Sequence, residues 1–569
     1  MINRFINKKA GNAKEAVFLV ALSYGLSALM GILRDRMLAN RFGGAGELDP
    51  YFAAFRIPDF IYAIAILGGL SAAFLPVFSE TFSSTGESAE KESRLWPKQA
   101  LALTNNVLTG FSLFLVVVSF LFFLFIPKLA GFLAPGFSGE KRALLIGLSR
   151  IMLLSPIIFG ISSVFSGILH YFNRFLAYSL APVLYNLGII LGIVFLSPSF
   201  GLWGIAYGVI FGALLHLLVQ LPSVIDAGWR FLPSFNFKES NLLRIFALAV
   251  PRVFGQASYQ FNLFLITAIA STFDSGSISV FNFSNNLQSF PASLIGASFA
   301  VASFPYLSRY WAAGRRRDFF DNVFSALKQI AFLALPVSVF ILVFRAQIVR
   351  LVLGSGNFGW QETRLTAASL GVFSLAIAFQ SLIPLISRSF FAAKDTKTPA
   401  IIAVASIAIN LAALLVFSNL LNGDGWIRVV VSDIFKLWGI NNIRVLSLPL
   451  AVVFSSFCQL FFLISCFLKK FGGKDRLDFV SWFDGKKSEA VDFLKKLLLV
   501  SSLTLAVAYF SLGFFGFIFN TRTFLGIFCQ TLMAAIFSFG AYMLLSRRLK
   551  IVDIGAFKAA FLKKQKNGQ

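Results

Sequence analysis

Fourteen apolar stretches, each long enough to cross a bilayer, run through this chain, and the loops between them alternate between rich and poor in Lys and Arg. A hydrocarbon layer about 30 Å thick takes about 20 apolar residues per helix. Spans are therefore expected near 16–41, 50–79, 99–126, 143–169, 175–198, 202–224 and 242–273, then near 277–307, 324–345, 365–390, 398–421, 446–468, 494–516 and 523–546. The stretches are continuously apolar rather than alternating, and backbone amides in lipid must be satisfied within their own segment. Helices, not barrel strands, follow. With 57% hydrophobic and 13% charged residues, water could not solvate the surface of a folded globule of this composition. The expected fold class is an all-α polytopic membrane protein.

The net charge of +25 would suggest a nucleic-acid partner in a soluble chain. Here the basic residues sort by loop. Of 50 Lys and Arg, 34 fall on the side of the N-terminus and 11 on the other, leaving Arg34, Arg36, Arg56, Arg150 and Arg252 inside spans. The positive-inside rule then puts both termini in the cytoplasm, and the even number of spans agrees. The basic blocks at Arg315-Arg316-Arg317, from Lys469 to Lys496 and from Arg547 to Lys566 read as topology anchors that touch anionic headgroups. No nucleic acid is expected. Cys458, Cys466 and Cys529 lie in apolar spans without paired spacing, so they read as core thiols.

The two halves of the chain resemble each other weakly. The second span ends in SAAFLPVFSE (71–80) and the eighth in AVASFPYLSR (300–309); aligning Pro76 with Pro305 puts Arg56 opposite Asn285. Repeated bundles of this kind frame central sites in many transporters. The expected organisation is two pseudo-symmetric six-helix lobes, 1–225 and 239–468, joined by a cytoplasmic linker at 226–238 with Trp229, Pro233 and Lys238. A basic cytoplasmic loop at 469–493 precedes a C-terminal helix pair and tail at 494–569. The loop 422–442 reads as a small amphipathic element on the outer face.

A charge at bilayer depth costs a few kcal/mol or more, so ionisable groups inside spans are functional candidates. Arg34 and Asp35 sit about seven residues from the end of the first span, and Arg56 about six into the second, which runs back. At about 1.5 Å per residue they share one depth. One reading is a structural ion pair between Asp35 and Arg56; another has the surplus cation Arg34 facing a cavity and holding an anion. Arg252, Gln256 and Gln260 recur at helical spacing in the seventh span, and Asn282, Asn285, Asn286 and Ser289 mark the eighth. Hydrogen-bonded glue between helices would use such amides, but an Arg with several amides on adjacent helices favours a wet cavity. His170 and His216, the only histidines, lack carboxylate spacing. No HExxH, GxSxG or P-loop occurs, and neither cofactor, metal nor enzymatic chemistry is expected.

Several strings then become recognisable: GILRDRMLANRFGGAGELDPYFAAFRIPDF (31–60), LGGLSAAFLPVFSE (67–80), APVLYNLGIILG (181–192), GSISVFNFSNNLQSFPASLIGASFAVASFPYLS (276–308) and the run from 356 to 399. Together they resemble the MurJ (MviN) family of lipid II flippases, within the group that includes multidrug exporters and polysaccharide flippases. The resemblance implies fourteen helices in two lobes with a terminal pair, in the bacterial cytoplasmic (inner) membrane. It carries Arg34, Asp35, Asp49 and Arg56 over as matched positions. Other cations of well-studied members fall here on Ala28, Tyr62, Ala63 and Asn286; Arg252 is the expected replacement. The implied function is outward translocation of an undecaprenyl-pyrophosphate-linked peptidoglycan precursor by alternating access. Its expected contacts are Arg34, Arg56 and Arg252 on pyrophosphate, with Asp35 and Asp49 beside them, and Gln256, Gln260, Asn285 and Asn286 on sugar or peptide. Implied partners are that lipid, anionic membrane lipids and cell-wall synthesis proteins. The alternatives are a flippase of another lipid-linked oligosaccharide, an amphiphile exporter and a non-transporting scaffold paralogue. A membrane-embedded glycosyltransferase would need an acidic residue in an outer loop poised as base, and Asp274 and Asp433 are isolated.

Overall fold

A computed structural model of the chain describes residues 13–64, 71–84, 96–232, 234, 236, 244–245, 258–423, 425–440, 442–474 and 476–551. Its described residues are helical, with no strand among them. The chain forms two compact units, Met1–Ser279 with Val352–Glu362, and Val280–Leu351 with Thr363–Gln569. Eleven helices among the described residues are long and apolar enough to cross a membrane. The other three expected spans are 16–41, 50–79 and 242–273. The first is a continuous helix of 30 residues; the second is described in three helical pieces, and the third only from Ser258 to Ala270. Arg252, Gln256, Pro233, Lys238 and the tail beyond 551 lie outside the described residues.

The first unit contains α1 (Ala13–Phe42), α2 (Asp49–Ala54), α3 (Arg56–Tyr62), α4 (Ser71–Ser84), α5 (Lys98–Leu133), α6 (Gly139–Met152) and α7 (Leu154–Tyr171). It continues through α8 (Phe175–Leu191), α9 (Ser197–Phe200), α10 (Leu202–Leu218), α11 (Leu221–Asp226) and α12 (Ser258–Ala270). The second expected span is interrupted at Phe55. Pro58 has no N–H to offer the carbonyl of Ala54, so the α-helical ladder stops there and restarts with Asp59 N–H on Phe55 O. The break places Arg56 at the start of a new helix.

Close packing of α8 with α10 rests on glycine. Gly188 and Gly192 face Gly208 and Gly212, each pair four apart. A Cβ at Gly208 would lie 2.8 Å from Gly192 Cα, and one at Gly192 2.6 Å from Gly208 Cα. Where lipid removes the hydrophobic drive for association, such small-residue ridges let backbones meet and gain dispersion. On its other side α8 packs against α1.

The second unit contains most of α13 (Ser277–Ala312), then α14 (Arg316–Val352), α15 (Trp360–Ala392), α16 (Lys397–Asn422), α17 (Trp426–Phe435), α18 (Ser447–Lys474), α19 (Arg476–Ile518) and α20 (Phe524–Arg548). One core is aromatic: Phe319 and Phe320 of α14, Phe390 of α15 and Phe467 and Phe471 of α18 interlock, with the last two centroids 4.8 Å apart. The C-terminal pair packs onto α14, where Leu497, Val500 and Tyr542 surround Phe332 and the Tyr542 hydroxyl donates to Phe332 O at 2.7 Å. The outward faces stay apolar, as at Phe517, 93% exposed, which suits a lipid surround. The loop expected to carry an amphipathic element does so in α17, with Trp426 and Ile434 exposed.

Between α15 and α16, Asp395 Oδ1 accepts from the N–H groups of Lys397 and Thr398, each at 3.1 Å, capping α16, while Oδ2 pairs with Lys470 of α18. Burial alone would raise this carboxyl. The hydrogen bonds from Lys470 and Thr398 and the Lys470 charge outweigh it and hold Asp395 below the usual carboxylate range.

Candidate functional site

Arg34 sits two turns before the end of α1 and is tied on two sides. Its Nε and Nη2 donate to Asp35 Oδ1 at 2.9 and 2.7 Å, and its Nη1 donates to Asn186 Oδ1 of α8 at 3.1 Å. Asn186 is held in turn: its Nδ2 donates to Pro182 O at 3.2 Å and to Ser27 O at 3.3 Å. The cation expected to be surplus is thus the one paired with Asp35. The Arg34 side chain nevertheless keeps 23% of its surface exposed, against 9% for Asp35. A guanidinium has five donors, and a fixed, part-exposed one can take an anion without first being ordered.

Arg56 is buried at the head of α3, where its Nε donates to Thr267 Oγ1 at 2.8 Å. Thr267 satisfies its own hydroxyl proton on Leu263 O, leaving its lone pairs for Arg56. Gln260 lies two turns before Thr267, hence on the same face of α12. Its Oε1 and the Oδ1 of Asn262 are buried with no hydrogen-bond donor among the described residues. Asp59, absent from the sequence expectations, feels the charges of both Arg56 and Arg34. Its position three residues after Arg56, one helical turn on, was the available signal.

Asp49 is buried and fully engaged with backbone. Its Oδ2 accepts from Gly276 N–H at 2.8 Å, and its Oδ1 accepts from Ser279 N–H at 2.9 Å and Ser279 Oγ at 2.6 Å. These are amides at the start of α13, so the carboxylate caps a helix N-terminus and meets its dipole. A substrate contact was expected of it; the hydrogen bonds it makes are those of a helix cap.

In the second unit the amides form a separate neutral chain. Gln288 Nε2 donates to Asn285 Oδ1 at 3.1 Å and approaches Gln380 Oε1 at 3.5 Å, and Gln380 Nε2 donates to Ser456 Oγ at 3.3 Å. Asn410 Nδ2 donates to Ser455 Oγ at 3.0 Å. Asn285 and Asn286 are half-buried. Gln288, the centre of this chain, was not singled out from sequence; its spacing of three from Asn285 would have found it. Arg34, Asp35, Asp49, Arg56 and Gln260 thus belong to one unit, Asn285 and Asn286 to the other.

No group of three or more metal-ligating residues occurs among the described residues. The arrangement around Arg34 and Arg56 offers fixed cations and amides, which suits binding and release of an anion.

The family model described as Lipid II flippase MurJ matches residues 38–529. A relative from Buchnera aphidicola subsp. Acyrthosiphon pisum, named probable lipid II flippase MurJ, is 28% identical over 392 residues, covering 68% of this chain and 75% of its own. Another from Burkholderia cenocepacia, named lipid II flippase MurJ, is 26% identical over 408 residues, covering 70% and 77%. Among solved structures, one described as lipid II flippase MurJ in an inward closed conformation superposes with a TM-score of 0.68 at 23% identity, over 94% of this chain and 99% of that one. That match supports the fold. The family match covers well over half of the chain, from within the first span to the start of the last: the chain belongs to the lipid II flippase MurJ family, a family of membrane transporters rather than catalysts.

Proposed function

We propose that the chain carries lipid II, an undecaprenyl-pyrophosphate-linked sugar with its peptide, from the cytoplasmic to the outer leaflet of the bacterial inner membrane by alternating access. Fourteen spans, with both termini cytoplasmic, form lobes at 1–225 and 239–468 around the path, followed by the helix pair. The observation that carries this reading is Arg34, held by Asp35 and Asn186 yet part-exposed, in a chain of this family.

The polar head of such a lipid is what cannot cross bare hydrocarbon, since each unpaired polar group there costs several kcal/mol. Its tail can stay in lipid. Arg34, with Arg56 and Arg252, takes the pyrophosphate; Gln256, Gln260, Asn285 and Asn286 take uncharged groups; Asp35 keeps Arg34 from holding the anion too tightly for release. Asp49 shapes the site through the start of α13. An inside-negative potential favours exit of an anion by about 2.3 kcal/mol per charge per 100 mV. Anionic lipids gather at the basic loops, and cell-wall synthesis proteins receive the product.

The deciding experiment depletes the protein in cells carrying labelled lipid II and probes which leaflet holds the label. Accumulation in the inner leaflet is expected. Unchanged outward exposure would overturn the assignment, and accumulation of a different lipid-linked oligosaccharide would redirect it.

A further inference from the structure

The first unit contains a cavity of about 120 Å³ that the pyrophosphate site does not use. Its walls come from four helices: Tyr24 of α1, Tyr62 of α3, Phe159 of α7 and Tyr178 of α8. Phe159 meets Tyr62 edge to face at 5.2 Å, and Tyr185 and His216 at 5.2 and 5.1 Å. Its polar lining is Ser163 and Ser166 of α7, Ser179 of α8 and His216 of α10, and a hydrogen-bonded set lies behind Ser166 and His216. Ser162 Oγ and His216 Nδ1 are bonded at 2.7 Å, Gln220 Nε2 donates to Ser162 Oγ at 2.6 Å, and Ser166 Oγ donates to Gln220 Oε1 at 2.9 Å. Among the described residues, no Asp, Glu, Lys or Arg lines the cavity.

Apolar aromatic walls with a few fixed hydroxyls are what a neutral, ring-shaped, polyhydroxylated ligand needs. The C–H face of a pyranose lies against the electron-rich face of an aromatic ring, and its hydroxyls need partners at the edge. An ion would find no countercharge. The size agrees: a cavity of about 150 Å³ takes one benzene ring, so about 120 Å³ is on the scale of one six-membered ring.

Its position agrees as well. Pro182 lines the cavity, and its carbonyl accepts the hydrogen bond from Asn186, the residue that holds Arg34. Four residues of helix separate them, about 6 Å. We propose that this cavity is a sugar subsite: it takes a neutral pyranose ring of the lipid-linked head group while Arg34 holds the adjoining pyrophosphate. The proposal rests on the flippase reading and adds to it the device that distinguishes a sugar-bearing lipid from the bare carrier.

The test measures binding of lipid II and of sugar-free undecaprenyl pyrophosphate to the full-length protein in nanodiscs. Wild type should prefer lipid II. The double variant Tyr62→Leu/Tyr178→Leu should weaken lipid II about tenfold or more while leaving undecaprenyl pyrophosphate within about twofold, so the second lipid also reports correct folding. The aromatic-retaining pair Tyr62→Phe/Tyr178→Phe should keep most of the preference, and Arg34→Gln should weaken both lipids. Equal loss of both lipids in the leucine variant, or no loss of either, would overturn the subsite and leave the flippase reading standing. Equal wild-type affinity for the two lipids would do the same. Wild-type protein that binds neither lipid would overturn both.

Discussion

Arg56 and Asn285 occupy equivalent places when Pro76 is aligned with Pro305, yet the two units surround them with different chemistry. In the first, side-chain oxygens hold the cations: those of Asp35 and Asn186 hold Arg34, and that of Thr267 holds Arg56. In the second, Asn285, Gln288, Gln380 and Ser456 bond to one another with no charge in the chain. A repeat can preserve helix geometry while the side chains diverge, because packing constrains volume and shape whereas the site constrains charge. The first unit holds fixed cations of the kind the proposed anion site needs; the second has the kind of neutral network that sets helix positions.

The sharpest way to break this contrast is Arg34→Ala. Loss of a charge-assisted contact of about 2–3 kcal/mol should lower lipid II translocation on the order of a hundredfold, read from leaflet exposure in proteoliposomes. A change as small as that of Asn285→Ala would erase the distinction between units. Next in size, Asp35→Asn should destabilise by about 3 kcal/mol, because it leaves a part-buried guanidinium without its countercharge; added pyrophosphate should recover part of the loss in a detergent melting assay. Gly208→Val should cost about 1–3 kcal/mol by forcing α8 from α10, seen in the same assay without any shift in anion affinity.

The effect of Gln288→Leu should be smaller, about 0.6 kcal/mol, with translocation nearly intact, since amide bonds between membrane helices are individually weak. The smallest concerns pH. The depressed carboxyl of Asp395 contributes stability above the ordinary carboxylate value of about 4, and loses it as pH falls through the lower folded value. Lys470→Ala should therefore destabilise at neutral pH by under about 1 kcal/mol, an increment that vanishes in acid.

Much was legible along the chain. Long apolar runs can only be helices in lipid, so α5, α14 and α16 were readable from hydropathy, and Arg34, Asp35 and Arg56 stood out because charge there is costly. Pro58 also announces a break, yet its consequence, a helix restarting at Arg56, was read as part of one continuous span. The partners were not legible. Arg34 takes Asn186 across 152 positions of sequence, and Asp49 takes Gly276 and Ser279 across more than two hundred; no local spacing encodes such meetings.

By itself, the sequence determined that this protein is a helical membrane chain and which residues are costly exceptions in it, because the transfer of apolar and charged groups is a property of each residue and its near neighbours. Only the tertiary structure decided what those exceptions do. It set Asp49 on the amides that open α13, put Asp35 on Arg34, and gathered tyrosines of α1, α3 and α8 around one cavity, because hydrogen bonds and cavities are made where distant segments converge.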